Sequence, residues 1–492
     1  MAKAVTGGEL ANRDDESPLS FKTKFSFGVG AIAELIALTS VGSFAMFYYN
    51  QVLGLSATLA GLAITMGLVL DGVTDPLMGS ISDRTRSRLG RRHPYMFVAP
   101  IPVGISIFAV FNPPEMLPAV WLFAWFSGFV ILLRFCMTLY HVPHLALGGE
   151  LSSSYTERTR VMSYNNFCSW IGGAGTTWIA YTFFFHATPE FARGLLNPDA
   201  YAPFSVVASI TAVFVLFASA WFTRDQIPRL PKPPSNLPRY SPFEFFRDMG
   251  KAFSNMNYVW LLVAFFFLSL MLGLRSGLGI YVNTFYWELT SEQIRLFVIG
   301  SACGYFTGFF ASTGLHGQFD KKRVIVVTAL SLSVIPAMPI VLRMMGYFPE
   351  NHTEALVPAL IAFAALSSAA GSILNISVMS ALADIADENE VRYGLRQEGV
   401  LYSTRTLFSK IDNAIGHFFA GITLDLIGFP ARGRSGEVPD DVLWHLGLID
   451  SPLAIIPGVI AAFFYGKYAI DRRVYEANRS RLVALRVERL RD

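Results

Sequence analysis

The sequence predicts an all-α membrane protein with 12 transmembrane helices in two six-helix bundles. Three observations carry this. Of 492 residues, 53% are hydrophobic and only 15% charged, and apolar windows of about twenty residues, the length that crosses a bilayer core as helix, recur along the whole chain. Six such windows precede a polar, proline-rich segment and six follow it. Basic loops alternate with loops poor in Lys and Arg, as in a chain that threads a membrane repeatedly.

Taken in order, residues 1–25 are a polar leader with Asp14, Asp15 and Glu16, and lack the charged-then-apolar pattern of a cleaved signal. The first bundle occupies 26–223, with spans at 26–50, 57–79, 95–112, 119–147, 163–186 and 203–223. Residues 224–255 hold Pro228, Pro231, Pro233, Pro234, Pro238 and Pro242 and read as an extended inter-domain linker. The second bundle, 256–469, has spans at 256–286, 293–314, 323–346, 355–383, 399–428 and 449–469. The tail 470–492 alternates Arg with Val and Leu, either a surface helix near anionic lipid or a solvated end.

Arg84–Arg92, Arg158 with Arg160, Arg239 with Arg247, Lys321–Arg323, and Arg392 with Arg396 lie after the even-numbered spans 2, 4, 6, 8 and 10. These loops and both termini are expected on the cytoplasmic side of a cell (inner) membrane. Asp440 and Asp441 after span 11 fit the outer face, whereas Arg432 and Arg434 there run against the rule. The net charge of +3 gives no global field for nucleic acid. Cys136, Cys168 and Cys303 sit in apolar runs without ligand or redox spacing. No His-Glu-x-x-His or Gly-x-Ser-x-Gly motif supports an enzyme, no cofactor is expected, and the chain is expected to act as a monomer in membrane lipid.

Function must come from ionisable residues inside spans, because lipid rejects them unless they face a polar interior or a partner. They are Glu34; Asp71 and Asp75; Arg134, His141 and His144; Arg275; and Lys410, Asp412 and His417. Asp71 and Asp75 are four apart and share a helix face. Three readings are open: a cation site, with Thr74 as a further oxygen donor; a proton-titrating pair; or a structural knot with Lys410. Lys410 is either the counter-charge when the cation is absent or a snorkelling lysine. Arg134 and His141 share a face of span 4, beside a stripe with Tyr140. Arg134 either meets an anionic solute or neutralises Glu34 or an aspartate. Asp83, Arg84, Arg91 and Arg92 are positioned either to latch the cytoplasmic ends as a gate or simply to anchor them.

The stretch Asp71-Gly-Val-Thr-Asp75-Pro76 with Gly79 and Arg91, the segment Tyr140-His141-Val142-Pro143, and Asp384-Ile-Ala-Asp387 through Arg396, Glu398 and Tyr402 to Lys410 resemble the glycoside, pentoside and hexuronide cation symporters, the melibiose permease type of the major facilitator fold. The resemblance runs from about Ser26 to Tyr468. It implies that Asp71 and Asp75 hold sodium, with lithium or a proton as alternatives, and that Lys410 lies nearby. The family's sugar-gripping carboxylates fall here on Leu35 and His141, so that clamp is absent. His-Val-Pro and Thr74 are instead similar to the sodium-dependent lysophospholipid symporters of the same fold.

The expectation is therefore a cation-coupled symporter, driven by sodium, that imports a sugar-type solute (glycoside, pentoside or hexuronide, anionic forms included) by alternating access. The alternative cargo is a lysophospholipid or other amphipathic anion. Asp71, Asp75, Thr74 and His141 would serve the cation. Glu34, Arg134, Tyr140, Asn166, Arg275 and Lys410 would serve the solute, with Tyr48 as a further aromatic wall.

Overall fold

The computed structural model describes residues 18–152, 154–230, 253–393, 398–433 and 437–489; the side chains of residues 155, 156, 393, 398–400, 402–404, 406–413 and 483–489 lie outside that description. Every regular element among the described residues is helical. In chain order these are α1 Phe21–Val52, α2 Ala57–Arg84, α3 His93–Phe111, α4 Ala119–Glu150, α5 Tyr155–Ile179, α6 Pro198–Arg229, α7 Met256–Tyr286, α8 Ser291–Gln318, α9 Lys321–Met344, α10 Leu356–Arg392, α11 Glu398–Leu426, α12 Asp440–Tyr465 and α13 Arg472–Arg489.

Ten of these, all but α5, α11 and α13, are long and apolar enough to cross a membrane. The chain is an integral multi-pass membrane protein. α5 and α11 are helices of 25 and 29 residues at the places of expected spans 5 and 11. They are more polar, with Asn165 and Asn166 on one and Arg405, Lys410 and Asp412 on the other. Such composition suits a helix that turns much of its surface away from lipid.

Local chemistry sets several helix starts. Ser20 Oγ accepts from the Thr23 N–H at 3.1 Å before α1, and Asn255 Oδ1 accepts from the Asn257 N–H at 2.9 Å before α7. Thr290 and Gln293 form a reciprocal capping box at α8. Pro76 in α2 and Pro143 in α4 each remove a ladder donor inside a long helix.

Two boundaries differ from expectation. α6 continues past 223 as a 3-10 turn, Arg224–Arg229, which tolerates Pro228 because its tighter pattern makes fewer demands on the ladder. The rest of the expected linker falls on 231–252, outside the described residues. α12 begins at Asp440 rather than near 449. Asp440 and Asp441 occupy its first turn, where carboxylates complement the helix dipole and so extend the helix beyond its apolar run. The tail is the helix α13.

The chain divides into two compact units. The first holds α1 to Tyr49, α2 from Met66, α3, α4, α5 on to Phe185, and α6; the second holds Asn50–Thr65, His186–Leu196 and α7 to α13. In the first, α1 packs on α5 and α6, and α3 on α4 and α6. Its aromatic core gathers Phe44, Phe185, Tyr201 and Phe204, with ring centroids 4.8–5.4 Å apart across several pairs. In the second, α7 packs on α11 and α12, α8 on α10, and α9 on α10 and α12. Gly300, Gly304 and Gly308 of α8 lie against Ile361, Ala365 and Ala369 of α10, a small-residue stripe that lets two helices approach closely.

Candidate coupling and substrate site

α2 and α4 lie side by side in the first unit, and their polar residues meet. Arg134 Nη2 pairs with Asp71 Oδ2. One turn along, Thr138 Oγ1 donates to Asp75 Oδ1 at 2.7 Å. Thr74 Oγ1 donates to the Leu70 carbonyl at 3.1 Å and lies 3.3 Å from Thr138 Oγ1. One turn further along α4, His141 Nδ1 lies 2.9 Å from Glu34 Oε2 of α1.

The spacing explains this ladder. Residues 134, 138 and 141 of α4 face 71, 74 and 75 of α2 and 34 of α1, so each charged side chain finds a partner within the same unit. Asp71 is buried at 2% exposure and Thr138 at 4%, while Glu34 and His141 remain partly accessible. The oxygens of Asp71, Thr74, Asp75 and Thr138 are all hard donors of the kind an alkali cation takes, so the residues fit such an ion chemically. Arg134 already occupies one face of Asp71, so a cation there competes with a guanidinium. Among the described residues no cluster of three His, Cys, Asp or Glu is set for a transition metal.

Several expected partners fall elsewhere. Tyr140 is only 1% exposed; its ring stacks on His144 at 5.2 Å and its hydroxyl reaches the Leu216 carbonyl at 3.5 Å. It packs in the bundle interior, one residue along the helix and so about 100° round from His141. Tyr48 is likewise enclosed, 4.2 Å from Tyr201 ring to ring. His144 Nε2 bonds the Phe27 carbonyl at 2.8 Å. Asn166 is exposed on α5 and is not brought to the ladder. Arg275 lies in the second unit, donating to the Ser333 carbonyl at 3.2 Å. Lys410 is on α11, and its side chain lies outside the description.

At the end of α2, Arg92 pairs with Asp83 and with Glu150, the latter at 2.6 Å, and donates to Ser82 Oγ at 2.6 Å. Arg91 meets Glu150 at 2.8 Å. Arg84 is exposed. Glu150 was not singled out in the sequence, although an acid ending an apolar run opposite a basic loop is a readable signal. The second unit repeats the device: Lys321 pairs with Asp384, which also accepts from Tyr468 Oη at 3.1 Å. Glu388 accepts from Asn255 and Asn257 at 2.9 and 3.0 Å and pairs with Arg392 at 2.6 Å.

Known proteins resemble the chain over most of its length. The family model described as MFS/sugar transport protein matches residues 26–472. The chain is 24% identical to the putative glycoside/cation symporter YagG of Escherichia coli, over 90% of each chain. It is 22% identical to the sodium-dependent lysophosphatidylcholine symporter 1 of Gallus gallus, over 97% of this chain and 92% of that one. Its fold matches that of a D-xylose-proton symporter with a TM-score of 0.60 at 16% identity, covering 92% of this chain and 98% of that one. Ten membrane-length helices, intramembrane charge pairs and a family match to nearly the whole chain converge: this chain belongs to the MFS/sugar transport protein family and is a cation-coupled transporter of a small solute rather than an enzyme.

Proposed function

We propose that the chain is a sodium-driven importer of a sugar-type solute, a glycoside, pentoside or hexuronide, with an anionic form favoured. One observation carries the reading: on consecutive turns of α2, Asp71 meets a guanidinium and Asp75 meets a neutral hydroxyl. Asp75, Thr74 and Thr138 then supply oxygens to the ion, while Asp71 trades Arg134 for part of the ion's charge. Arg134, once released, is available to a carboxylate or phosphate on the solute. Ion and solute thereby favour the same state, which is what coupling requires. Glu34 and His141 extend the polar ladder toward the solute, and Lys410 is proposed as a further counter-charge.

We propose a cell-membrane location with both termini cytoplasmic, which the basic loops support, and action as a monomer. The alternative cargo is a lysophospholipid, supported by the similarity to the sodium-dependent lysophosphatidylcholine symporter 1 of Gallus gallus.

The test is uptake into proteoliposomes, with and without a sodium gradient, across a panel of glycosides, pentosides, hexuronides and lysophospholipids. Sodium-stimulated uptake of one sugar-type class, lost in Asp75→Asn, is the expected result. Stimulation that survives both Asp71→Asn and Asp75→Asn removes the ion-site assignment.

A further inference from the structure

The second unit holds a separate buried charge pair that the α2–α4 ladder does not use. Arg275 lies near the middle of α7, Ser333 near the middle of α9, and Asp450 within α12, in a π-helical segment, Ile449–Leu453, that carries Pro452. α12 packs on both α7 and α9. Asp450 is 9% exposed and Ser451 fully buried.

Arg275 and Asp450 act on each other electrostatically yet close no ion pair. Instead Arg275 Nη2 donates to the Ser333 carbonyl, while its Nε and Nη1 and the Ser451 hydroxyl are sealed from solvent without hydrogen-bond partners. A 3-10 turn with Pro336, immediately after Ser333, interrupts α9 at the same level and weakens the demand of the helix on that carbonyl. A bare carboxylate at this depth would draw the guanidinium onto itself, because neither charge has water to turn to. Arg275 resting on a neutral carbonyl is the arrangement expected when Asp450 carries a proton.

We propose that Asp450 is a proton-binding site of this transporter, with Arg275 as the arm that reports its charge. With the proton on an Asp450 carboxyl oxygen, Arg275 rests on Ser333; when the proton leaves to water, Arg275 moves to the carboxylate. The charged group set against Asp450 is Arg275; Ser333 and Ser451 are the neutral groups, and Arg343 of the adjoining segment is directed to the Phe348 carbonyl at 3.5 Å. The site rests on the reading of the chain as a coupled symporter only for its role in transport; proton binding itself does not depend on the α2–α4 assignment.

The experiment is pH-titrated infrared difference spectroscopy on the full chain in lipid vesicles, read at the protonated-carboxyl band. The expected result is a band that titrates in the wild type, is missing in Asp450→Asn, persists in Asp75→Asn, and returns displaced in Asp450→Glu, which keeps an acid there. In Arg275→Gln the band should persist to alkaline pH, over at least a tenfold lower proton concentration than in the wild type. An unchanged band in Asp450→Asn overturns the site, and an unchanged titration in correctly folded Arg275→Gln overturns the arm. Should sodium-stimulated uptake prove independent of Asp71 and Asp75 while the Asp450 band behaves as stated, the cation reading fails and the proton site stands.

Discussion

Arg134 of α4 is bonded to Asp71, while Thr138 one turn away is bonded to Asp75. Two aspartates that look equivalent in sequence are therefore chemically distinct. Asp71 is met by a full opposite charge and Asp75 by a hydroxyl donor. The difference yields a stability prediction. Removing one member of a buried pair strands the other charge and costs about 3–5 kcal/mol, whereas removing both leaves no charge uncompensated. Arg134→Gln and Asp71→Asn should each lower the unfolding midpoint in detergent, and the double variant should lie well above the sum of the two losses. Additive losses in this double-mutant cycle would mean that the pair is not coupled.

Thr138→Val tests the other aspartate. The substitution keeps shape but removes the 2.7 Å donor from Asp75. Leaving a buried acceptor short of a donor is worth about 1–3 kcal/mol, or roughly a tenfold change in a binding constant per 1.4 kcal/mol. If Asp75 and Thr138 serve the cation together, half-saturation for sodium should rise about tenfold with little change in protein yield. A sodium curve identical to that of the wild type would exclude the Thr138 oxygen from the ion site.

How much of this was legible in the sequence depended on whether a signal was local. Span positions followed from apolar length, and Asp71, Asp75, Arg134 and His141 stood out because charges in lipid-length windows are conspicuous. Pairing was legible only in part: Arg134 was open to Glu34 or an aspartate, and it meets Asp71. Glu34 with His141 and Arg92 with Glu150 join residues distant in sequence whose partners are fixed by helix rotation. Tyr140 shows the same limit, since one position along α4 separates the polar ladder from the packed interior. Asp450 was missed because the apolar window suggested a start near 449, whereas Asp440 and Asp441 extend the helix and put Asp450 well inside it.

An acid dependence is expected where α5 begins, before its apolar part. Burial raises the Glu157 carboxyl, but Arg160, Lys24 and the Leu19 N–H, which bond it at 2.6, 3.3 and 3.1 Å, outweigh that and hold it below its ordinary value of 4.5. A group whose pKa is depressed by folding contributes its stability above the unfolded value and loses it as pH falls through the folded one. The tether between the start of α1 and α5 should thus be intact at neutral pH and loosen only below about pH 4.5. Amide hydrogen exchange across residues 19–24 measures this: protection should drop on acidification in the wild type, and Glu157→Gln should show the drop already at pH 7. Protection that is the same in the variant at neutral pH would mean that the carboxylate does not hold α1.

The close approach of α8 to α10 predicts a sharp difference between glycines on one helix. A Cβ on Gly304 would run into the Ala365 backbone carbonyl, which cannot rotate away as a side chain could, whereas a Cβ on Gly314 meets nothing within 4 Å. Gly304→Ala must therefore force the two helices apart, an overpacking penalty of about 1–3 kcal/mol or more. Gly314→Ala lacks that penalty and gains helix propensity of about 1 kcal/mol. At about 2–4 °C per kcal/mol for a domain of this size, Gly304→Ala should melt several degrees below the wild type and Gly314→Ala at or above it. Equal melting temperatures for the two variants would show that α8 and α10 do not rely on backbone contact at Gly304, and that side chains elsewhere set their separation.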